Sequence, residues 1–430
     1  MAINNALLLG LLTGLPVILV FAWLLDLRTT SNKIEASTAR MTSLCAVVWT
    51  ALLIVGFLKG ANYDYRYVYV IHWSRVLAGE NPWLPDLLTG LPGSAFGVGH
   101  QILAGLFYFH PLAPKVFFIL CWFGTFVIVF KAQRREATID AMMFLMLFAA
   151  PFYIVLICFY GVNDALVAFL TLLAIDLRTR KKMCVGPAVL FAIAILTKLY
   201  PLALLPFLAT DRGVISVRFI AVVLLALAIG LLPAVTLWGW SVFYIVGANV
   251  YGGGKTLSIF WFLYDSRLSP IAHTSLAEAL IASNFVIVGL AMALLYAFHL
   301  FGKMRALTGA VLASVILFAF FGGNPQYFIC PTMLLIYFLA IVTPKRDFSD
   351  PRLITAAMSY FAVLNGFEVW YYLTNNGTTT AHYAILPNWV FSHQQVTALV
   401  GLPCFVTAIF LVWQIVLYEH LSLRSLPLRE

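Results

Sequence analysis

Apolar residues run along this chain in blocks long enough to fill a bilayer, rather than in the narrow stripes of a water-soluble helix. Thirteen blocks stand out, at 6–25, 42–59, 114–130, 140–159, 165–177, 184–197, 199–209, 217–238, 279–300, 306–321, 326–342, 353–370 and 395–417. Blocks of this kind predict helices, because backbone groups inside hydrocarbon must be paired within the segment. Two of them, 184–197 and 199–209, are too short to cross alone at about 1.5 Å per residue. They meet at Lys198-Leu199-Tyr200-Pro201, which predicts a broken pair that turns inside the protein. The expected fold class is an all-α polytopic integral membrane protein, one domain over 1–430. Its bundle holds about 13 transmembrane or partly spanning helices, interrupted by long segments at 60–113 and 239–278 and a shorter one at 371–394.

Composition narrows the picture. Of 430 residues, 63% are hydrophobic and 10% charged, against about 25% charged in soluble domains. A mean hydropathy of +0.96 excludes an ordinary soluble enzyme, a disordered chain and a coiled coil. The net charge of +9 does not point to nucleic acid, because the basic residues fall in short clusters between apolar blocks. Alternate loops carry them unequally: 19 of the 26 on one side, and on the other only Lys59, Arg66, Arg75, Lys115, Lys198, Lys255 and Arg267. The positive-inside rule then sets the N-terminus outside and the C-terminus in the cytoplasm, in keeping with an odd number of spans. The first block lacks a basic leader and is long enough to span, so it reads as a retained helix. The six cysteines lie in or beside apolar blocks and read as free packing thiols.

The long interruptions all fall on the outer side, with six of the eight histidines. Chemistry, if this protein performs any, is expected at the extracytoplasmic face. The first interruption opens Asn62-Tyr63-Asp64-Tyr65-Arg66-Tyr67-Val68-Tyr69 and runs to Gly79-Glu80-Asn81-Pro82-Trp83. Asp64 suits a general base in a partly dry cleft, since burial raises a carboxylate toward neutrality; the alternative is a solvated acid in an interfacial tyrosine belt. Asp164, in Gly161-Val162-Asn163-Asp164, reads either as a site residue or as an ordinary helix N-cap. Lys198 is flanked by apolar sequence on both sides, so it is a functional candidate unless a structural ion pair holds it. Gly252-Gly253-Gly254-Lys255-Thr256 imitates the end of a P-loop, but Asn249 stands where its first glycine belongs and no strand precedes it. Asn376-Gly377-Thr378 fits a glycosylation acceptor. Gly322-Gly323-Asn324-Pro325-Gln326-Tyr327 breaks two spans with polar side chains.

Together these stretches resemble a membrane glycosyltransferase of the GT-C type, and most closely glycosyltransferase family 87 and the polyprenyl- or dolichyl-phosphate-mannose-dependent mannosyltransferases. The likeness rests on the tyrosine-rich start with Gly79 to Trp83; on Gly161 to Asp164, the basic loop Arg178 to Lys182 and Ala188 to Pro201; and on Asn324-Pro325-Gln326-Tyr327. It covers roughly 60 to 345. The resemblance implies a catalytic Asp in the first long outer loop, which carries over to Asp64. It departs from the family in topology, because block 6–25 adds a span before that loop. It also implies inverting transfer of a sugar from a lipid monophosphate carrier.

The residue inventory suits that reaction. Asp64 would take the acceptor hydroxyl proton while phosphate leaves, so no second carboxylic acid is required. Positive charge aimed at the phosphate is required; Lys198 is the first candidate, with Arg66, Arg75, Lys255 and Arg267 as helpers. Tyr63, Tyr67, His72, His110, Asp164, Asn324, Gln326 and Tyr327 are candidates to bind substrate. No metal and no cofactor is expected. Expected partners are a lipid-phosphate-linked sugar donor, a glycolipid or glycan acceptor and membrane lipids, with no nucleic acid. A transporter or lipid flippase is the competing class, since it too would be polytopic with a lysine inside the membrane.

Overall fold

The computed structural model describes residues 34–60, 64–85, 93–136, 147–181, 184–211, 213–244, 257, 259–264, 274–321, 324–341, 351–375 and 393–424. The block at 6–25, Tyr63, Lys255, Arg267, the P-loop-like stretch, Asn376-Gly377-Thr378, most of 239–278 and residues 376–392 lie outside the described residues. Helix predominates among the described residues, and the strands there form a small antiparallel hairpin, Thr210–Asp211 with Val214–Ile215.

Three helical stretches are long and apolar enough to cross a membrane: Ala113–Ala132, Val217–Phe243 and Leu399–Leu421. A fourth candidate is the pair Pro151–Tyr160 and Asp164–Thr179, bent by 118° at its break. Shorter apolar helices surround them, among them Val185–Thr197, Asn284–Leu300, Ala306–Phe320 and Pro325–Ile341. The Val217–Phe243 stretch buries only 11% of its apolar window. Leu224, Leu225, Ile229, Leu232 and Leu237 all stand exposed along it, an apolar patch that water would not tolerate on a monomer. These are the surfaces of a membrane protein.

The centre is the Ile329–Ile341 helix, buried from Ile329 through Ala340. Against it pack Ala113–Glu136, Asp164–Lys181 and Ala306–Phe321, and Val185–Thr197 lies on the far side of the Asp164 helix. Aromatic rings fill the spaces, with Trp49 edge-on to Trp122 at 4.0 Å between centroids. The cysteines are free, five of them buried and Cys184 half-buried.

Five apolar blocks reappear as helices that run past the block at one or both ends. Block 42–59 becomes Ile34–Leu58 and block 395–417 becomes His393–Arg424, because a helix continues into polar flanks wherever its ladder can. Block 279–300 is divided at Ser283 into Ser275–Ala282 and Asn284–Leu300. The predicted break at Lys198 is present. Val185–Thr197 ends there, Lys198 is extended (φ −145°, ψ 144°), and the chain restarts as a 3-10 turn over Tyr200–Leu204. The 60–113 segment is less loop-like than its sequence suggests. It holds a π-helical turn at Tyr65–Tyr69, helix Val70–Leu77, and short helices at Val98–Gln101 and Ala104–Phe109.

Candidate active site

Three chain breaks converge to build the site. The first is the π-helical turn that Asp64 opens, a wide-turn geometry frequent at functional sites. The second is the sharp bend after another π-helical stretch, Ile154–Tyr160, where Gly161 adopts a left-handed φ of +71°. A Cβ on Gly161 would sit 2.9 Å from Tyr65 Cδ2 and 3.0 Å from Lys115 Cγ, so the residue after Asp64 and the bend before Asp164 approach as closely as only glycine permits. The third is the Lys198 corner, which the 93–101 segment braces through Gly97 N–H donating to Thr197 O at 3.2 Å. Lys115, fully buried, fastens the same region. Its ammonium donates to Gly60 O at 2.7 Å and to Phe159 O at 3.1 Å, two carbonyls at helix ends where a cation is favoured.

Asp64 is half-buried, and Gln326 Nε2 donates to its Oδ2 at 2.9 Å. Burial pushes the carboxyl above its usual range, and the Gln326 amide and the Lys198 charge pull partly back. Beside it, Lys198 Nζ donates to Asp164 Oδ2 at 2.6 Å, and Tyr200 OH donates to Asp164 Oδ1 at 3.3 Å. The ammonium also lies 4.5 Å from the Tyr327 ring centroid and 5.3 Å from that of Phe96, within the range of cation–π attraction. Lys198 therefore carries the structural ion pair that the sequence left as its alternative. The reading of Asp164 as an N-cap needs correction: the Asn163 backbone carbonyl accepts from Leu166 and Val167 N–H, while the Asp164 carboxylate turns to Lys198 and Tyr200.

A second polar layer lies behind this pair. Tyr69 OH donates to Asn163 Oδ1 at 3.1 Å, which fixes the amide so that Asn163 Nδ2 faces His100 Nδ1 at 2.9 Å. His100 Nδ1 must then accept, leaving the ring proton on Nε2. Burial, with the His72 and Lys198 charges, depresses the His100 pKa, in agreement with a neutral ring. Phe96, Tyr69 and Trp73 pack around that imidazole with centroids 4.6 to 5.0 Å away.

The candidates from sequence thus divide. Asp64, Gln326, Tyr327, Asp164 and Lys198 come together. Tyr67 is exposed, with the Arg66 guanidinium 5.5 Å from its ring. Arg75 donates to Leu84 O at 2.8 Å and lies 3.5 Å from Glu80. His110 stacks on Phe57 at 5.4 Å, Asn324 is exposed, and His72 is buried one ring away from Phe96. Sequence reasoning missed Tyr69, Phe96, His100, Asn163 and Lys115 as members of the site. The Asn163 side chain had a weak signal, its place beside Asp164; His100 and Lys115 had none, since their partners are distant in the chain. Comparison with known proteins adds no assignment: no family model matches the chain, and no curated protein matches it.

Proposed function

We propose that the protein transfers a sugar, mannose in the first instance, from a polyprenyl-phosphate carrier to a lipid-linked or glycan acceptor, with inversion, at the extracytoplasmic face. The observation that carries this reading is Asp64. It is a partly dehydrated carboxylate held by one amide donor, beside a buried cation, at the point where the two broken helices converge. A general base needs these properties: raised basicity, a fixed direction and an oxygen left for the incoming proton. Gln326 occupies Oδ2, and no described side chain donates to Oδ1.

In a single displacement, Asp64 Oδ1 removes the proton from the acceptor hydroxyl. The hydroxyl oxygen forms its bond to the anomeric carbon, and the carbon–oxygen bond to the lipid phosphate breaks with its electron pair leaving on the phosphate. The positive end of the Lys198–Asp164 pair biases the site toward that departing charge. Arg66, exposed on the same turn, supplies a second positive charge for a headgroup. Lys198 serves the reaction through the field of its pair with Asp164, since its ammonium already has an anion.

One observation favours the competing reading: an ion pair buried among apolar helices at a 118° break is also what a transporter or flippase would use. A single experiment separates them. The purified protein in liposomes is given polyprenyl-phosphate mannose labelled in the sugar, or a nucleotide sugar, with membrane lipids as acceptor. New labelled glycolipid from the polyprenyl donor alone supports transfer. Label that changes leaflet without entering a new product supports transport and overturns the proposal.

A further inference from the structure

The helix Pro351–Asn375 carries a carboxyl that the candidate active site does not use. Glu368 is fully buried, and neither of its side-chain oxygens has a hydrogen-bond partner among the described residues. The other acids there that are buried as deeply are both held. Asp164 has Lys198 and Tyr200, and Glu419 has Arg305 and Thr308. An isolated charge in an apolar interior costs far more than a paired one, and a carboxyl without a partner escapes that cost by keeping its proton.

The neighbour one turn back shows what Glu368 faces. Asn365 and Glu368, three positions apart, share a face of the helix. Asn365 Oδ1 accepts from Phe152 N–H at 3.0 Å, while its Nδ2 donates to Phe361 O at 2.8 Å. That face therefore meets the 151–160 stretch, which packs against the helix. The stretch buries Phe152, Val155, Leu156 and Ile157, with Tyr153, Cys158 and Tyr160 as its titratable groups. Tyr153 gives its hydroxyl proton to Thr332 at 2.7 Å, and none of the three is a cation. The other helix packed here, His393–Arg424, adds Cys404, Tyr418, Glu419 and His420, with His393 and Arg424 as its end residues. Glu419 is taken by Arg305 at 2.6 Å. Along its own helix, Tyr360 lies about 12 Å and Arg352 about 24 Å before Glu368, and Tyr371 and Tyr372 follow within about 6 Å. No described residue supplies a counter-charge.

We propose that Glu368 is a proton-binding site separate from the Asp64 site. Its carboxyl stands as the neutral acid against the 151–160 stretch, and release of the proton sets an unpaired negative charge into that packed face. Such a charge draws in water or turns away, and the Asn365–Phe152 contact one turn below gives way with it. At its other end the same stretch runs into Gly161 and the bend before Asp164. Proton loss at Glu368 therefore loosens the mount of the Lys198–Asp164 pair. The inference rests on the membrane fold and stands whether or not the protein transfers sugars.

Infrared spectra of the purified protein in lipid nanodiscs, unmutated minus Glu368→Gln, test the site. At neutral pH the difference should contain the carbonyl stretch of a protonated carboxylic acid and lack the carboxylate stretches. Raising the pH should convert one into the other. Over the same pH interval, hydrogen exchange across 151–160 should accelerate beyond its intrinsic base dependence in the unmutated protein but not in Glu368→Gln. Carboxylate stretches at neutral pH would mean that a cation holds Glu368, and equal exchange in both proteins would cut its link to the bend; either overturns the proposal. If Glu368→Gln does not fold, dicyclohexylcarbodiimide on the unmutated protein takes its place. This lipid-soluble reagent adds a protonated carboxyl across an N=C bond and rearranges to an N-acylurea. The peptide holding residue 368 should gain the reagent's mass at neutral pH and progressively less as the pH rises. A peptide left unmodified at neutral pH would overturn the site.

Discussion

A carboxylate that must take a proton is useful only where its charge is costly enough to raise its basicity and stable enough to survive. Asp64 meets both conditions, because burial raises its pKa while Gln326 and Lys198 limit the rise. Asp64→Asn keeps the shape and removes the base. Turnover with the polyprenyl donor should fall by about 10²–10⁴-fold, while donor-induced thermal stabilisation in detergent persists; wild-type turnover would exclude Asp64 from the reaction. Gln326→Leu tests the same group through pH. The Gln326 amide favours the charged carboxylate, so its loss raises the pKa further, and the acid limb of the rate profile moves to higher pH while the plateau survives. An unmoved limb would separate Gln326 from the base. Lys198 answers to stability instead. Its partner Asp164 is fully buried, and Lys198→Met strands that carboxylate, at a cost of about 3–5 kcal/mol. Adding Asp164→Asn should restore much of the loss, because the stranded charge goes with it. A Lys198→Met protein as heat-stable as the parent would mean the pair is dispensable.

At the scale of elements, the breaks matter more than the spans. Gly161 is the sharpest case, combining a left-handed φ with close contact to Tyr65 and Lys115. Gly161→Ala should lose about 2–4 kcal/mol, from backbone strain and overpacking together. Gly60 has a similar φ of +66° but open space around it, so Gly60→Ala should lose only about 1 kcal/mol. Thermal melts of the pair in one detergent check the difference, and equal losses would remove the contact argument. The positions of several helices were legible because long apolar runs favour helix: Val217–Trp238 and Ala306–Phe321 coincide with their apolar blocks. The Lys198 corner was legible too, since a lysine followed by a proline within three residues interrupts an otherwise apolar run. The helices of 60–113 were not. They are short, and their inward residues are chosen by partners such as Asn163 and Phe57 that lie far away in the chain. Gln326 was named as a candidate, but its bond to Asp64 spans 262 positions and nothing local announces it.

For the whole molecule, one helix converts sidedness into a statement about the site. Ala306–Phe321 begins at Arg305, whose guanidinium grips Glu419 near the end of the last helix, 2.6 Å from its Oε2, with Thr308 donating to the same carboxylate at 3.0 Å. Its other end leads through Asn324 into Gln326, the donor to Asp64. Sixteen helical residues separate those ends by about 24 Å, most of a hydrocarbon core. The Arg305–Glu419 pair and Asp64 therefore lie toward opposite ends of this helix; if the helix crosses the bilayer, the compartment that holds the C-terminus excludes Asp64. The basic bias of 19 to 7 predicts a cytoplasmic C-terminus, hence a catalytic face outside, where a lipid-borne donor is needed because nucleotide sugars are cytoplasmic. Reporter fusions after Glu430 and within 179–182 should both read cytoplasm. An external signal after Glu430 would turn Asp64 inward, toward soluble nucleotide sugars, and the case for a lipid-linked donor would lose its premise.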